Sequence, residues 1–221
     1  MNKAYYRLSL ETDRKKIGHY IQCKGVPTGY TISIYKDATK LSSTEFPTFP
    51  PKLIWELEEK AILTDILSPS NINGRGLLVN KSVKEVLEKF NLWKVKFHPA
   101  DVYVKEKNYE YYWLQVLDSG FEGIDFKDTY YVKTTFRNGL TQNLQIDSVE
   151  EYRQEFELCK GPSLMWIGCE KLKLTDAFSH YNIFFKSNVS ITALIVNEAL
   201  KKALSIFTRM RFTPLEKPSY I

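Results

Sequence analysis

The spacing of apolar and polar positions predicts β-strands along most of the chain. Tyr6, Leu8 and Leu10 alternate with polar neighbours, and the same alternation marks residues 30–35. Such period-two alternation is typical of a half-buried strand. Residues 109–117 (YEYYWLQVL) are the most β-prone run, because aromatic and β-branched side chains pack well on a sheet. Further strands are predicted at 53–67 (mostly extended, with a helix as the alternative), 77–79, 93–97, 102–104, 124–126, 130–132 and 210–212.

Three segments carry the spacing of amphipathic helices. Asn80 is a predicted N-cap, and the apolar residues that follow it every three or four positions mark one helical face. Ser148 and Glu151 have the spacing of a capping box and predict a helix that ends before Gly161. A last helix is predicted over 198–207.

The first and last of these helices lie in two similar segments. Val79 to Pro99 (VNKSVKEVLEKFNLWKVKFHP) aligns with Val196 to Pro214 (VNEALKKALSIFTRMRFTP) once two residues are omitted after the helix. Each segment reads as strand, Asn cap, short helix, strand and a proline that stops the strand. Duplication of one strand–helix–strand unit explains the similarity; repeated use of one packing solution is the alternative.

These patterns predict an α+β fold with mixed or antiparallel sheets and few short helices. A length of 221 residues fits a single domain over 1–221, in which 1–50 holds N-terminal strands and a loop and 51–221 holds the rest. The 43% hydrophobic content is enough to fill a core, which excludes general disorder.

Charge and cysteine content narrow the class of protein. The net charge of +5 arises mainly near the ends, because residues 76–160 hold 12 basic and 14 acidic side chains. A basic stripe for nucleic acid is therefore not expected. Three cysteines without CxxC spacing indicate neither a disulfide framework nor a zinc site. With no apolar leader and no run near 18 apolar residues, we expect a cytoplasmic protein without a membrane segment.

Motifs that carry chemistry are weak throughout. The three histidines, His19, His98 and His180, have no second ligand at metal spacing. Gly74-Arg-Gly76 precedes a strand, whereas a dinucleotide site needs glycines between a strand and a helix. Ser33-Ile-Tyr-Lys36 matches SxxK in letters, but on a strand the two side chains would face opposite ways. The sequence therefore predicts no enzyme, no cofactor and no metal.

Several segments together resemble a known bacterial family. They are the run from Pro50 to Leu117, Ile124-Asp125-Phe126, Asn182-Ile-Phe184 and the unit from Leu194 to Phe212. The family was long grouped as a domain of unknown function and is now placed with immunity proteins of polymorphic-toxin systems. The similarity covers about residues 50–221. It implies a cytoplasmic, non-enzymatic inhibitor that binds a cognate protein toxin.

Such an inhibitor needs exposed anchors on a stable scaffold. The candidate partner-binding residues are Tyr109, Tyr111, Trp113, Glu150, Glu151 and Glu155. The aromatic residues among them fit a strand core better than a contact surface, and the net charge of +5 argues against a simple acidic decoy. A nucleic-acid-binding or defence accessory and a structural domain of a larger complex stay open as alternatives. The oligomeric state is not indicated.

Overall fold

The computed structural model describes residues 4–25, 27, 37–135, 139–160, 165–186 and 193–215. It contains 17% helix and 40% strand in mixed and antiparallel sheets, which confirms the α+β class. The strand predicted at 30–35 lies outside the described residues. The helices are α1 (Arg14–Ile17), α2 (37–40), α3 (Lys81–Leu87), α4 (Val149–Cys159) and α5 (Glu198–Leu204).

The strands form three sheets. The six-stranded sheet contains, in spatial order, β2 (Cys23–Lys24), β3 (Leu53–Leu57), β6 (Val95–Val104), β7 (Lys107–Val116), β5 (Gly76–Asn80) and β4 (Ile66–Leu67). The four-stranded sheet contains β11 (Ile183–Lys186), β12 (Ala193–Asn197), β1 (Tyr5–Leu10) and β13 (Met210–Pro214). The three-stranded sheet contains β10 (Met165–Lys171), β8 (Tyr130–Thr135) and β9 (Thr141–Leu144).

The sequence repeat is also a repeat of topology, and it is larger than the sequence indicates. In the first repeat the strands lie in the order β4-β5-β7-β6, with α3 between β5 and β6 along the chain. In the second repeat the order is β11-β12-β1-β13, with α5 between β12 and β13. Strand β1 therefore occupies the position of β7, although it comes from the opposite end of the chain. The second repeat is a circular permutation of the first.

Strand pairing agrees between the repeats residue by residue. The matching pairs are Asn80–Tyr111 and Asn197–Tyr5, Val79–Tyr112 and Val196–Tyr6, Phe97–Leu114 and Phe212–Leu8, and Pro99–Tyr112 and Pro214–Tyr6. This register aligns YYRLSL at 5–10 with YYWLQV at 111–116, which are identical at three positions. A shift by one residue would place every side chain on the wrong face of the sheet, so the agreement favours duplication over coincidence.

Both helices begin in the same way. The Asn80 side-chain oxygen accepts a hydrogen bond from the Val83 amide at 3.0 Å, and that of Asn197 accepts one from the Leu200 amide at 3.0 Å. Each asparagine thereby satisfies an N–H that has no partner within its helix. The predicted caps are confirmed.

The two helices also cover their sheets in the same way. The Lys84 ammonium lies 5.1 Å from the centroid of the Tyr112 ring, and the equivalent Lys201 lies 3.7 Å from that of Tyr6. Helices α3 and α5 contact each other. The repeats therefore face one another across a shared core. Its equivalent buried pairs are Ile66/Ile183, Leu77/Leu194, Val79/Val196, Val83/Leu200, Leu87/Leu204 and Leu114/Leu8.

Two local predictions were wrong. Pro99 does not stop its strand, because β6 runs through it to Val104. The neighbouring strand β3 joins β6 only from Ala100 onward, so no partner there requires the N–H that proline lacks. Residues 124–126 form no strand; Ile124 makes a single bridge to Leu174.

The repeats are connected by two inserted segments that differ from each other. Residues 11–65 form the first insertion, which adds β2 and β3 to the six-stranded sheet. Residues 117–182 form the second insertion, which contains the three-stranded sheet and α4. A shared scaffold thus carries two unshared additions, and additions of this kind are where function is commonly placed. Across the described residues, no helix is long and apolar enough to cross a membrane.

Candidate protein-interaction surface

The aromatic residues predicted as contacts lie mostly in the core. Tyr111 and Trp113 are 4% and 3% exposed, so their side chains do not reach the surface. The Tyr111 hydroxyl donates to the Thr64 carbonyl at 2.6 Å. Strand β7 lies between β6 and β5, and both of its faces are packed: Tyr111 and Trp113 belong to one core cluster, and Leu114 and Val116 belong to another. Tyr109, near the start of β7, is half-buried. Tyr111 and Trp113 are therefore not exposed anchors in this structure, because both belong to a buried cluster on one face of β7.

The glutamates of α4 have different roles. Ser148 accepts a hydrogen bond from the Glu151 amide, and the Glu151 carboxylate accepts one from the Asp147 amide at 2.7 Å. Glu151 is therefore part of the helix cap. Glu155 forms an ion pair of 2.9 Å with Lys133, which attaches α4 to β8. Glu150 is exposed at the first turn.

Buried lysine and serine side chains meet at the base of the second insertion. The Lys186 ammonium donates to the Ser119 hydroxyl at 3.0 Å and to the carbonyls of Gly120 and Glu122 at 3.1 and 2.9 Å. Burial lowers the pKa of Lys186 to about 8. The Ser119 hydroxyl donates to the Phe185 carbonyl, so its proton points away from the lysine. This is a structural clamp and not the geometry of an activated nucleophile.

Other titratable groups are likewise part of the packing. The His98 ring lies 2.8 Å from the Gln115 side-chain oxygen, and burial lowers its pKa. Burial raises the pKa of the Cys23 and Cys169 thiols to about 12, which keeps them protonated and poorly nucleophilic. In the part of the chain that the structure describes, no three His, Cys, Asp or Glu side chains cluster as metal ligands.

One face of the three-stranded sheet is open. Its other face packs on the core through residues such as Tyr131 and Ile167. We call the side opposite the core the outward face; its residues are Tyr130, Val132, Thr134, Thr141, Asn143, Trp166 and Gly168. Val132 and Gly168 are buried beside the Trp166 ring. Tyr130 is 64% exposed and Trp166 is 42% exposed.

Gly168 determines how Trp166 lies on the outward face. A Cβ atom at Gly168 would sit 2.9 Å from the indole ring and 3.0 Å from the nearest methyl carbon of Val132. The indole therefore lies against the strand at the glycine, beside Val132, with much of the ring still exposed. A large aromatic ring held flat in this way is pre-organised as a contact, because little rotamer freedom is left to lose on binding.

A cleft lies at the Tyr130 end of the same sheet. It has a volume of about 550 Å³ and is lined by the ends of β8, β9 and β10. Its charged lining residues are Lys127, Asp128, Glu170, Lys171 and Lys173. The Lys171 ammonium lies 5.7 Å from the centroid of the Tyr130 ring. The three lysines exceed the two carboxylates, so the cleft favours an anionic group.

Tyr130 and Trp166 are not among the contact residues that the sequence predicts. Each alternates with a residue that points into the core, Tyr131 and Ile167 respectively, which was a usable signal for an outward position. What no local pattern shows is that β8 pairs with β10, which places the two aromatic residues on one face.

Comparison with protein-family models gives no match for this chain, and a search of curated proteins gives none either. The resemblance to immunity proteins therefore stays a prediction, and the function rests on the geometry of the surface.

Proposed function

We propose that this chain is a non-enzymatic, cytoplasmic immunity protein that binds a cognate bacterial toxin and neutralises it. The proposal places the binding surface on the outward face of the three-stranded sheet. A protein inhibitor requires a rigid scaffold and a patch that its target can cover, and it requires no catalytic group.

The outward face is the observation that carries the proposal. It presents Trp166 and Tyr130, which belong to the residue types that dominate binding energy at protein interfaces. Its central part is uncharged, and charged side chains appear only at the cleft. An interface with an uncharged centre and a charged rim is the usual arrangement in protein complexes.

The position of this surface in the fold supports the same proposal. The two repeats bury their apolar faces against one another, so their function is to build the scaffold. The outward face belongs to the second insertion, which lies between the repeats and outside the duplicated core. Because this sheet is not needed to complete the duplicated core, its surface residues can fit a partner without disturbing the packing of the core.

Co-expression tests the proposal. The chain is produced together with the product of each gene adjacent to its own, and growth and complex formation are measured. We expect restored growth and a stable complex with one of these products. The double variant Trp166→Ala/Tyr130→Ala should bind at least about a hundredfold more weakly, because two anchors are lost.

The matched control is Ile206→Ala. Ile206 is 74% exposed but follows α5 on the duplicated scaffold. It should leave binding and rescue unchanged. Failure of the unmodified chain to protect the host or to form a complex would refute the proposed function. Equal loss in the control would refute the location of the surface.

A further inference from the structure

Strand β9 has an unprotected edge. Residues 139–146 (GLTQNLQI) contain no charged side chain and no proline. Edge strands commonly carry charged side chains or proline, because an edge without them pairs readily with other chains. Among the described residues, none pairs with the outer edge of β9.

The other edge strands of comparable length are blocked. β13 carries Arg211 and ends at Pro214, and β10 carries a bulge together with Glu170 and Lys171. The outer carbonyls of β11 accept hydrogen bonds from the amides of Trp93 and Ser119. The contrast indicates that β9 is kept open, since the same fold blocks its other edges.

The hydrogen-bond register defines which groups of β9 are free. The Thr135 amide donates to the Leu140 carbonyl at 3.0 Å, and bonded and non-bonded pairs alternate along an antiparallel ladder. Gln142 and Leu144 therefore bond to β8. The N–H and C=O groups of Thr141 and Asn143 point away from the sheet. They are spaced as the partners of one added strand.

The cleft continues from the end of this edge. Asn143, Leu144 and Gln145 line it together with the lysines described above. Lys127 and Lys171 are exposed, and neither forms an ion pair with a carboxylate of the described residues. A segment paired with β9 would pass from an uncharged strand edge to a site with excess positive charge.

We propose that β9 receives an extended segment of the toxin as an added strand, with an acidic side chain of that segment in the cleft. This inference rests on the proposed function and specifies how the partner is recognised. Backbone pairing supplies affinity, the outward face supplies side-chain contacts, and the lysines fix the register of the segment.

A proline at Asn143 tests the backbone pairing. Asn143→Pro removes an N–H that points to the free edge and leaves the bonds to β8 in place. Asn143→Ala is the control, because it loses the same side chain and keeps the N–H. Affinity for the toxin from the adjacent gene is measured by calorimetry. We expect Asn143→Pro to bind at least about tenfold more weakly than Asn143→Ala.

A second pair of variants does not depend on how β9 tolerates proline. Lys127→Gln/Lys171→Gln should lower the association rate severalfold and reduce its dependence on salt, while Lys202→Gln on α5 should change neither. Suppose that the wild-type chain forms a complex. Equal affinities of Asn143→Pro and Asn143→Ala, or an unchanged association rate of the lysine double variant, would then overturn the inference and leave the proposed function standing. If the wild-type chain forms no complex, both are overturned.

Discussion

Replacing Lys186 by methionine tests how the second insertion is attached to the scaffold. Lys186 lies on β11 of the second repeat, is fully buried, and donates three hydrogen bonds to the loop that begins the insertion. Its ammonium also lies 5.3 Å from the centroid of the Phe178 ring. The groups that it contacts are hydroxyl, carbonyl and aromatic groups, which solvate the charge less well than water does. The nearby carboxylates of Asp118 and Glu122 offset part of this loss, and burial remains the larger effect.

The pH dependence of stability follows from the lowered pKa. The folded protein holds Lys186 with a pKa of about 8, whereas an unfolded chain has about 10.5. Below pH 8 both states are protonated, and the folded state carries the full cost of the buried charge. Between the folded pKa of about 8 and the unfolded pKa of about 10.5, Lys186 loses its proton in the folded state but keeps it in the unfolded state, so the free energy of unfolding rises with pH. Between pH 7 and pH 10 the gain is about 2.5 kcal/mol.

Urea unfolding at pH 7, 8, 9 and 10 measures this effect. Lys186→Met has no titrating group at the position, so the free energy of unfolding of the native chain minus that of the variant should increase with pH. The methionine also leaves the carbonyls of Gly120 and Glu122 without this donor, but that loss is independent of pH. A difference that stays constant from pH 7 to pH 10 would refute the interpretation of a charged lysine clamp.

Three further predictions concern the fold. Alanine at either N-cap asparagine of the two repeats should lower the free energy of unfolding by about 1 kcal/mol, measured by urea denaturation; an unchanged stability would contradict the capping role. Gly123→Ala should be more destabilising than Gly139→Ala: both glycines have positive φ, but only at Gly123 would the new Cβ lie 2.1 Å from the Phe178 ring. Calorimetric melting temperatures in the opposite order would show that the backbone relaxes. A circular permutant has its new ends between Lys105 and Glu106, and its β13 is joined to β1 by a copy of the β6–β7 turn. It should unfold cooperatively like the native chain, because β1 already occupies the position of β7. Loss of cooperative unfolding would contradict the permuted duplication.

Local signals in the sequence predicted much of the scaffold. The N-caps at Asn80, Ser148 and Asn197 depend on side chains that bond within their own helix turn, so short-range spacing was sufficient. Most strands followed from alternation. The two errors, at Pro99 and at residues 124–126, both depend on which neighbouring strand is present, and spacing along the chain carries no such information.

The candidate surface was harder to predict because it depends on pairing between distant strands. The aromatic run of β7 is the strongest local signal in the chain, yet the core packed against that face buries Tyr111 and Trp113. Trp166 and Tyr130 belong to short strands whose composition is ordinary, and they become one face only through the β8–β10 register. The full extent of the repeat was hidden for the same reason, since its fourth strand comes from the other end of the chain.

Amide hydrogen exchange of the chain, alone and bound to the toxin from the adjacent gene, tests most directly whether the second insertion binds the partner. Slowed exchange should be confined to the three-stranded sheet, with the amides of Thr141 and Asn143 among the most protected, because in the free chain they have no partner among the residues that the structure describes. The helices α3 and α5 and the sheets that they cover should exchange at the same rates in both states. Protection on α3 and α5, with none on β9, would contradict the assignment of scaffold to the repeats and of binding to the insertion.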